Sequence, residues 1–319
     1  MRQIYRYTAM VLCAVLVFCM LTACSGPSAQ KPVNSTTTDV LQQSQEVKTP
    51  TKETDEGFIQ EREGYTATTH WVMDASSKTK IFGYVYKPID FQEDKQYPVV
   101  IFSHGIGVTN SDFDLYIPYF MKLGVICYAF DFPGGSMQSK SKGDVKAMSV
   151  LTEKEALKTV LADIRGQSFT DTSKVVLMGG SQGGVVTGLT AVETADQIAG
   201  EILLYPALAI VDNAKAKYPS LDDVPDNINV RGLTLGKVYY EDVWDLDLSA
   251  EVSKYSGSVL LIHGTADSSV PYEYSVNVQP MFSNAKLVTV EDGDHGFTDD
   301  EIRAFFPEVE QYLTALGVI

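Results

Sequence analysis

The sequence predicts an α/β fold with a mostly parallel central sheet covered by helices on both faces. Three observations predict it. Nearly continuous apolar runs recur at Tyr97 to Phe102, Val125 to Phe130, Lys174 to Met178, Glu201 to Tyr205 and Ser258 to His263, the pattern of strands buried on both sides. Segments of helical period separate them, and strands alternating with helices build parallel sheets. One strand also passes straight into a helix through Met178-Gly179-Gly180-Ser181-Gln182-Gly183-Gly184, after which Val185, Leu189 and Val192 recur at helical spacing. With 319 residues, 45% of them apolar, the chain can bury a substantial core.

The N-terminus stands outside that fold. Arg2 and Arg6 precede an uncharged apolar run from Thr8 to Met20, too short to span a bilayer comfortably and shaped like the core of a secretory signal. It ends in Leu21-Thr22-Ala23-Cys24, which resembles the lipobox of bacterial lipoproteins. The resemblance implies that residues 1–23 are a signal peptide and that Cys24 carries lipid, palmitate included. It further implies anchoring to a membrane of the cell envelope on its extracytoplasmic side. Residues 24–57 are rich in Ser, Thr, Gln, Lys and Pro and cannot bury enough surface to offset their ordering entropy, so they read as a flexible tether. Residues 58–319 then form the folded domain.

Charge and cysteine usage narrow the partners. Loss of Arg2 and Arg6 with the leader takes the net charge from −16 to about −18, a surface that repels phosphate backbones and argues against nucleic acid. The lipid, not a basic patch, must then hold the chain to a membrane. Of four cysteines, Cys13 and Cys19 leave with the signal and Cys24 carries lipid. Cys127 remains, inside the apolar run at Val125 to Phe130, and reads as a small core residue with no disulfide partner.

The folded part opens with two β-rich runs, Tyr65 to Met73 and Lys80 to Tyr86, joined as a hairpin by Asp74-Ala75-Ser76-Ser77. The strand at Tyr97 to Phe102 stops at Ser103-His104-Gly105-Ile106-Gly107, and Asp114 to Leu123 reads as a helix. The run to Phe130 ends in Asp131-Phe132-Pro133-Gly134-Gly135. A capping box at Thr152-Glu153-Lys154-Glu155 introduces a helix whose apolar face carries Leu157, Val160, Leu161 and Ile164. Late in the chain Lys286 to Val290 is a shorter strand. The stretch from Asp299 is helical in pattern, with Pro307 starting the last helix and Val309, Leu313 and Leu316 on one face.

Chemistry in such sheets gathers at the carboxyl ends of the strands. The turn at Gly179, Ser181 and Gly183 has the G-x-S-x-G pattern of a nucleophile elbow and resembles that of α/β-hydrolases, in which the triad follows the order Ser, acid, His. Of His70, His104, His263 and His295, only His295 follows both Ser181 and an acid at a strand end. It stands in Gly293-Asp294-His295-Gly296-Phe297, where an imidazole can take the serine proton and return it to a leaving group. Asp267, just after a strand, is the preferred acid over Asp292 and Asp294, whose side chains would have to fold back within one tight loop. The two amides needed for an oxyanion come from Gln182 and from Ile106, with Gly107 second to Ile106. His104 then has a structural role within its loop. The cluster Glu291-Asp292-Gly293-Asp294-His295 lacks the spacing of a metal site. No metal or organic cofactor is expected.

Taken together, His104-Gly105, Gly180-Ser181-Gln182-Gly183-Gly184, His263-Gly264 with Asp267, Val270-Pro271-Tyr272-Glu273 and Asp294-His295 resemble the bacterial cinnamoyl and feruloyl esterases among the α/β-hydrolases. The resemblance runs from about Tyr97 to the C-terminus. It implies a lid insertion after the strand that follows the elbow, here about residues 207–248, with Tyr239, Tyr240, Trp244 and also Phe297 as candidate substrate contacts. A small lid core is the other reading of the insertion's aromatics. The Asp131-Phe132-Pro133-Gly134-Gly135-Ser136 loop departs from the commoner Gly-His-Gly form. The expected activity is hydrolysis of a carboxylic ester, feruloyl, cinnamoyl, acetyl or another small acyl ester, free or on a polysaccharide. Alternatives are a serine peptidase of aminopeptidase or prolyl-peptidase type and a non-catalytic, surface-binding lipoprotein.

Overall fold

The computed structural model describes residues 59–62, 64–74 and 78–319. The leader, Cys24, the whole of the tether and the turn residues 75–77 lie outside the described residues. In chain order the elements are β1 (Ile59–Arg62), β2 (Tyr65–Met73), β3 (Lys80–Pro88), β4 (Tyr97–Ser103), α1 (Ile117–Lys122), β5 (Ile126–Phe130), α2 (Val150–Arg165), β6 (Thr170–Gly180), α3 (Gln182–Glu193) and β7 (Gly200–Leu204). Then follow α4 (Ile210–Lys217), β8 (Asn227–Val230), β9 (Leu233–Gly236), α5 (Val238–Glu241), α6 (Leu248–Val252), β10 (Val259–Gly264), α7 (Glu273–Val278), β11 (Ala285–Val290) and α8 (Asp299–Ala315).

Nine strands form one sheet in the order β1-β2-β3-β5-β4-β6-β7-β10-β11. The first four are joined by antiparallel pairings; from β5 onward every pairing is parallel. Side chains alternate across this sheet with period two. Val99, Ile101, Leu177, Leu203 and Leu261 face one core with Leu157, Leu161, Ile164 and Val185 of α2 and α3. Val100, Phe102, Met178, Ile202 and Leu260 face the other with Phe120 of α1 and Ile302, Phe306 and Val309 of α8. Each such fully buried side chain contributes about 1.5–3 kcal/mol, so the central strands are apolar on both faces because both are covered. Cys127 is among these buried residues, as a free thiol. Among the described residues no helix is long and apolar enough to cross a membrane.

Several element ends differ from the sequence expectation. The helix expected over Asp114 to Leu123 is confined to α1, a short 3-10 turn at Asn110–Phe113 preceding it. Helix α2 starts one turn earlier than its expected capping box: Ser149 accepts from the Thr152 amide and Thr152 Oγ1 from the Ser149 amide. The added turn buries Val150 completely. Pro307 does not start a helix but lies inside α8, which runs unbroken. Pro307 and Arg303 are both exposed, so water can hydrate the Arg303 carbonyl that the proline leaves unbonded. Strand β1 went unread because it is a short edge strand containing Gln60, Glu61 and Arg62.

Between β7 and β10 the chain leaves the sheet to form α4, the β8–β9 hairpin, α5 and α6. Arg231 and Gly232 turn the hairpin, both with positive φ, at 49° and 81°. That is the conformation a tight two-residue hairpin turn requires.

Candidate active site

Ser181 sits between the end of β6 and the start of α3 with φ 55° and ψ −122°, a backbone conformation that disfavours any side chain. What holds it there is close approach on either side. A Cβ at Gly183 would run into the Ser103 carbonyl of β4, and one at Gly179 into the Gly183 carbonyl. Only hydrogen at these positions lets strand and helix close up and push the serine hydroxyl outward.

Asp267 follows β10 and His295 follows β11, so three loops from one rim of the sheet converge. His295 Nε2 lies 2.9 Å from Ser181 Oγ. Its Nδ1 lies 2.8 Å from Asp267 Oδ2. That carboxylate is itself held from all sides: the Ser269 and Val270 amides each donate to Oδ1 over 2.8 Å. His263 Nε2 stands 3.2 Å from Oδ2. Burial of Asp267 raises its carboxyl, but hydrogen bonds from His263, His295 and the two amides outweigh this and hold it well below the usual carboxylate range. Asp267 is therefore ionised, and Nδ1 of His295 carries the proton facing it. Nε2 is left free to accept from the serine.

His263 is the residue that sequence reading left without a role. Fully buried, it accepts the Ser275 hydroxyl on Nδ1 at 2.7 Å, which leaves the Nε2 proton to be shared between the Val270 carbonyl at 3.1 Å and Asp267 at 3.2 Å. The signal was its position four residues before Asp267 at a strand end. Asp294 accepts from Ser268 and from the His295 amide. It pins the loop that carries His295 and does not face the imidazole as the acid.

Gln182, first residue of α3, has an amide without an intrahelical partner. Across from it, the Ile106 loop is braced: the Gly107 amide donates to the Gly135 carbonyl over 2.8 Å, which removes Gly107 as a free donor. His104, fully buried, donates from Nδ1 to the Gly105 carbonyl over 2.7 Å and accepts the Phe132 amide on Nε2 over 2.9 Å. Burial lowers its pKa and keeps the ring neutral, as the accepting Nε2 requires. The bond to Phe132 reaches beyond the ring's own loop into the loop after β5.

Behind Gln182 lies a buried carboxyl. Gln182 Nε2 donates to Glu153 over 2.7 Å, while Gln182 Oε1 accepts the Tyr239 hydroxyl over 2.8 Å. Burial pushes the Glu153 carboxyl up to about 8, against the pull of the Gln182 bond. Sequence reading missed this residue as well, although it stands four before Leu157 on the apolar face of α2.

A pocket of about 120 Å³ opens in front of Ser181. Ile106, Ala207, Ile210 and Val270 make its apolar wall, Tyr239 and Tyr240 line it from the insertion, and Arg231 at the hairpin turn borders it. Trp244 and Phe297, expected here, are placed elsewhere. Trp244 lies partly buried against the core with Lys215 over its ring. Phe297 is buried between Tyr205 and Phe305. In both, aromatic character marks packing against a core and not a pocket wall.

Strand order, elbow and converging loops define an α/β-hydrolase fold with a serine, histidine and aspartate constellation at its carboxyl rim. By sequence, residues 111–313 match the prolyl oligopeptidase family, Peptidase_S9. The chain belongs to that family. Among solved structures it is similar to Est1E from Butyrivibrio proteoclasticus with ferulic acid bound, at 24% identity and a TM-score of 0.69, over 77% of this chain and 99% of that one. It is also similar to an acetyl xylan esterase from Paenibacillus sp. R4, at 14% identity and a TM-score of 0.60, over 79% and 87% of the two chains. Esterase 2 of Thermogutta terrifontis gives 18% and 0.58, over 82% and 97%. No curated protein matches.

Proposed function

We propose that the chain is a serine carboxylic-ester hydrolase acting through an acyl-enzyme. The observation that carries this reading is the continuous hydrogen-bonded line from Ser181 Oγ through His295 to Asp267, at 2.9 and 2.8 Å. As the hydroxyl attacks the ester carbonyl, its proton passes to His295 Nε2. Asp267 stabilises the imidazolium, and the Ile106 and Gln182 amides receive the developing oxyanion. Collapse breaks the bond to the alcohol, which leaves with the proton from His295. A water then gives its proton to the same nitrogen and releases the acid.

The pocket supports a small acyl group, because a cavity of about 150 Å³ accepts benzene and this one has about 120 Å³. The esterase names borne by structures of like fold support the same bond class. Membership of the prolyl oligopeptidase family favours a second reading, a serine peptidase. Anchoring through Cys24 on the extracytoplasmic side of a membrane completes the proposal, on the lipobox-like Leu21-Thr22-Ala23-Cys24 alone.

Two measurements test it. A fluorophosphonate probe should label the wild type and leave Ser181→Ala unlabelled; equal labelling of both ends the case for a serine enzyme. A panel of p-nitrophenyl esters, methyl ferulate and aminoacyl anilides then separates the readings, since turnover confined to the anilides would replace the esterase with a peptidase.

A further inference from the structure

The pocket in front of Ser181 has one charged side chain in its lining among the described residues, Arg231. The chain carries 41 acidic residues against 25 basic ones, and several of its cations are paired. Lys154 and Lys158 pair with Glu193, Lys286 with Glu308, and Arg303 with Asp299 and Asp300. Arg231 makes no ion pair or hydrogen bond among the described residues, and its side chain is exposed. Arg231 stands at the turn of the β8–β9 hairpin and lines the same pocket as Ser181 and Tyr239. Asn213 of α4, also exposed, contributes an amide to the same lining. The Ser269 and Tyr240 hydroxyls also line the wall, and Arg231 is the one charged donor that an anion entering it would meet.

We infer that the preferred substrate is an ester that itself bears a carboxylate, with Arg231 as the residue that selects it; this rests on the ester-hydrolase reading. A planar guanidinium matches two carboxylate oxygens at once and holds them more strongly than any neutral pair of hydrogen bonds. The pocket has room for about six non-hydrogen atoms, by comparison with a cavity that holds benzene. The carboxylate is therefore separated from the ester by a short linker, as in the half-ester of a small dicarboxylic acid or an ester of a hydroxybenzoate. An unpaired guanidinium at the mouth also offsets the acidic field of the chain, which would otherwise repel such a substrate.

The test compares two matched pairs by pH-stat on the full chain: monoethyl succinate against ethyl butyrate, and 4-carboxyphenyl acetate against phenyl acetate. The first pair puts the carboxylate on the acyl side, the second on the leaving side. In at least one pair the wild type should prefer the carboxylate ester by about tenfold or more in kcat/KM, and Arg231→Gln should bring that ratio to about one or below. Arg231→Lys should keep part of it, and thermal melting of both variants reports on folding separately. No preference in either pair, or a preference that Arg231→Gln leaves intact, overturns the inference while the ester-hydrolase reading stands. Absence of turnover on all four esters, with no fluorophosphonate labelling, removes that reading and the inference together.

Discussion

Replacing Glu153 by Gln should invert the order of stability between variant and wild type as pH rises. The carboxyl is 1% exposed; one oxygen accepts from Gln182 and the other has no partner. It titrates at about 8 in the fold against an ordinary value of 4.5. Between those limits the folded protein keeps a proton that the unfolded chain has released, so wild-type stability falls as pH rises, at about 1.4 kcal/mol per pH unit. The loss is complete above pH 8 and reaches roughly 4–5 kcal/mol. Glutamine does not titrate, but its NH2 group would take the place of the partnerless oxygen at a cost of about 1–3 kcal/mol. The variant should therefore be the less stable protein at pH 4.5 and the more stable by about 2–3 kcal/mol at pH 8, with the curves crossing near pH 6. Urea denaturation of both proteins at pH 5, 6, 7 and 8 measures the difference, and every other titrating group cancels in it. A stability difference that stays constant across those four values would refute the reasoning.

Asp267→Asn should lower kcat by about 10³–10⁴-fold on any ester turned over, with little change in KM. An amide donating to His295 Nδ1 moves the ring proton to Nε2, where it blocks acceptance from Ser181, and steady-state kinetics checks this. Gly183→Ala should cost more than about 3 kcal/mol, read as a lowered urea midpoint, because the new methyl meets the Ser103 carbonyl and neither backbone can give way. Glu201, fully buried on β7 with neither carboxyl oxygen hydrogen-bonded, is raised well above the usual range by burial. Its stability contribution is thus lost as pH rises above its ordinary value, and Glu201→Met should raise the melting temperature by more at pH 8 than at pH 5. An equal rise at both would mean that the carboxyl does not titrate as argued.

The strands at Tyr97, Ile126 and Val259 were legible within a residue or two because a strand covered on both faces has no polar position to blur its run, whereas β6 begins at Thr170, four residues before the expected Lys174, because its first half is polar and only partly covered. Ser181 and Asp267 were legible as candidates because each follows such a strand closely, and His295 because it alone among the histidines follows both Ser181 and a strand-end acid. The start of α2 was not, since Ser149 with Thr152 and Thr152 with Glu155 are both acceptable caps, and only the burial of Val150 decides between them. Trp244 and Phe297 failed for a related reason: which neighbour an aromatic ring finds is a property of the folded chain. Glu153 is different, because a carboxylate in phase with Leu157, Val160 and Ile164 already announces a charge on a buried face. Read that way, it would have been flagged as a group needing a partner, and Gln182, first residue of the elbow helix, is the partner the fold supplies.

Three strained residues of the protein gather at one end of the sheet. Ser181, Tyr205 and Asp292 have positive φ in the loops after β6, β7 and β11, and Glu153 is buried beside the first of them. Each such backbone strain costs on the order of 1–3 kcal/mol and persists only where neighbours leave no alternative. Here the neighbours are identifiable: Gly183 against Ser103, the Asp267 cradle of His263, Ser269 and Val270, and the Tyr239–Gln182–Glu153 chain that ties the insertion to the elbow. The last of these has a mechanical consequence. Displacing the insertion breaks the Tyr239 bond, and it leaves the Gln182 side chain held by the Glu153 carboxyl, which is pushed up to about 8, and by a longer contact to Met148 Sδ. Movement of the insertion and the geometry of the oxyanion site are then coupled through one glutamine. Tyr239→Phe, which removes that hydroxyl and little else, should lower kcat by about tenfold while melting within a few degrees of wild type; an unchanged kcat would show that the elbow holds Gln182 without help.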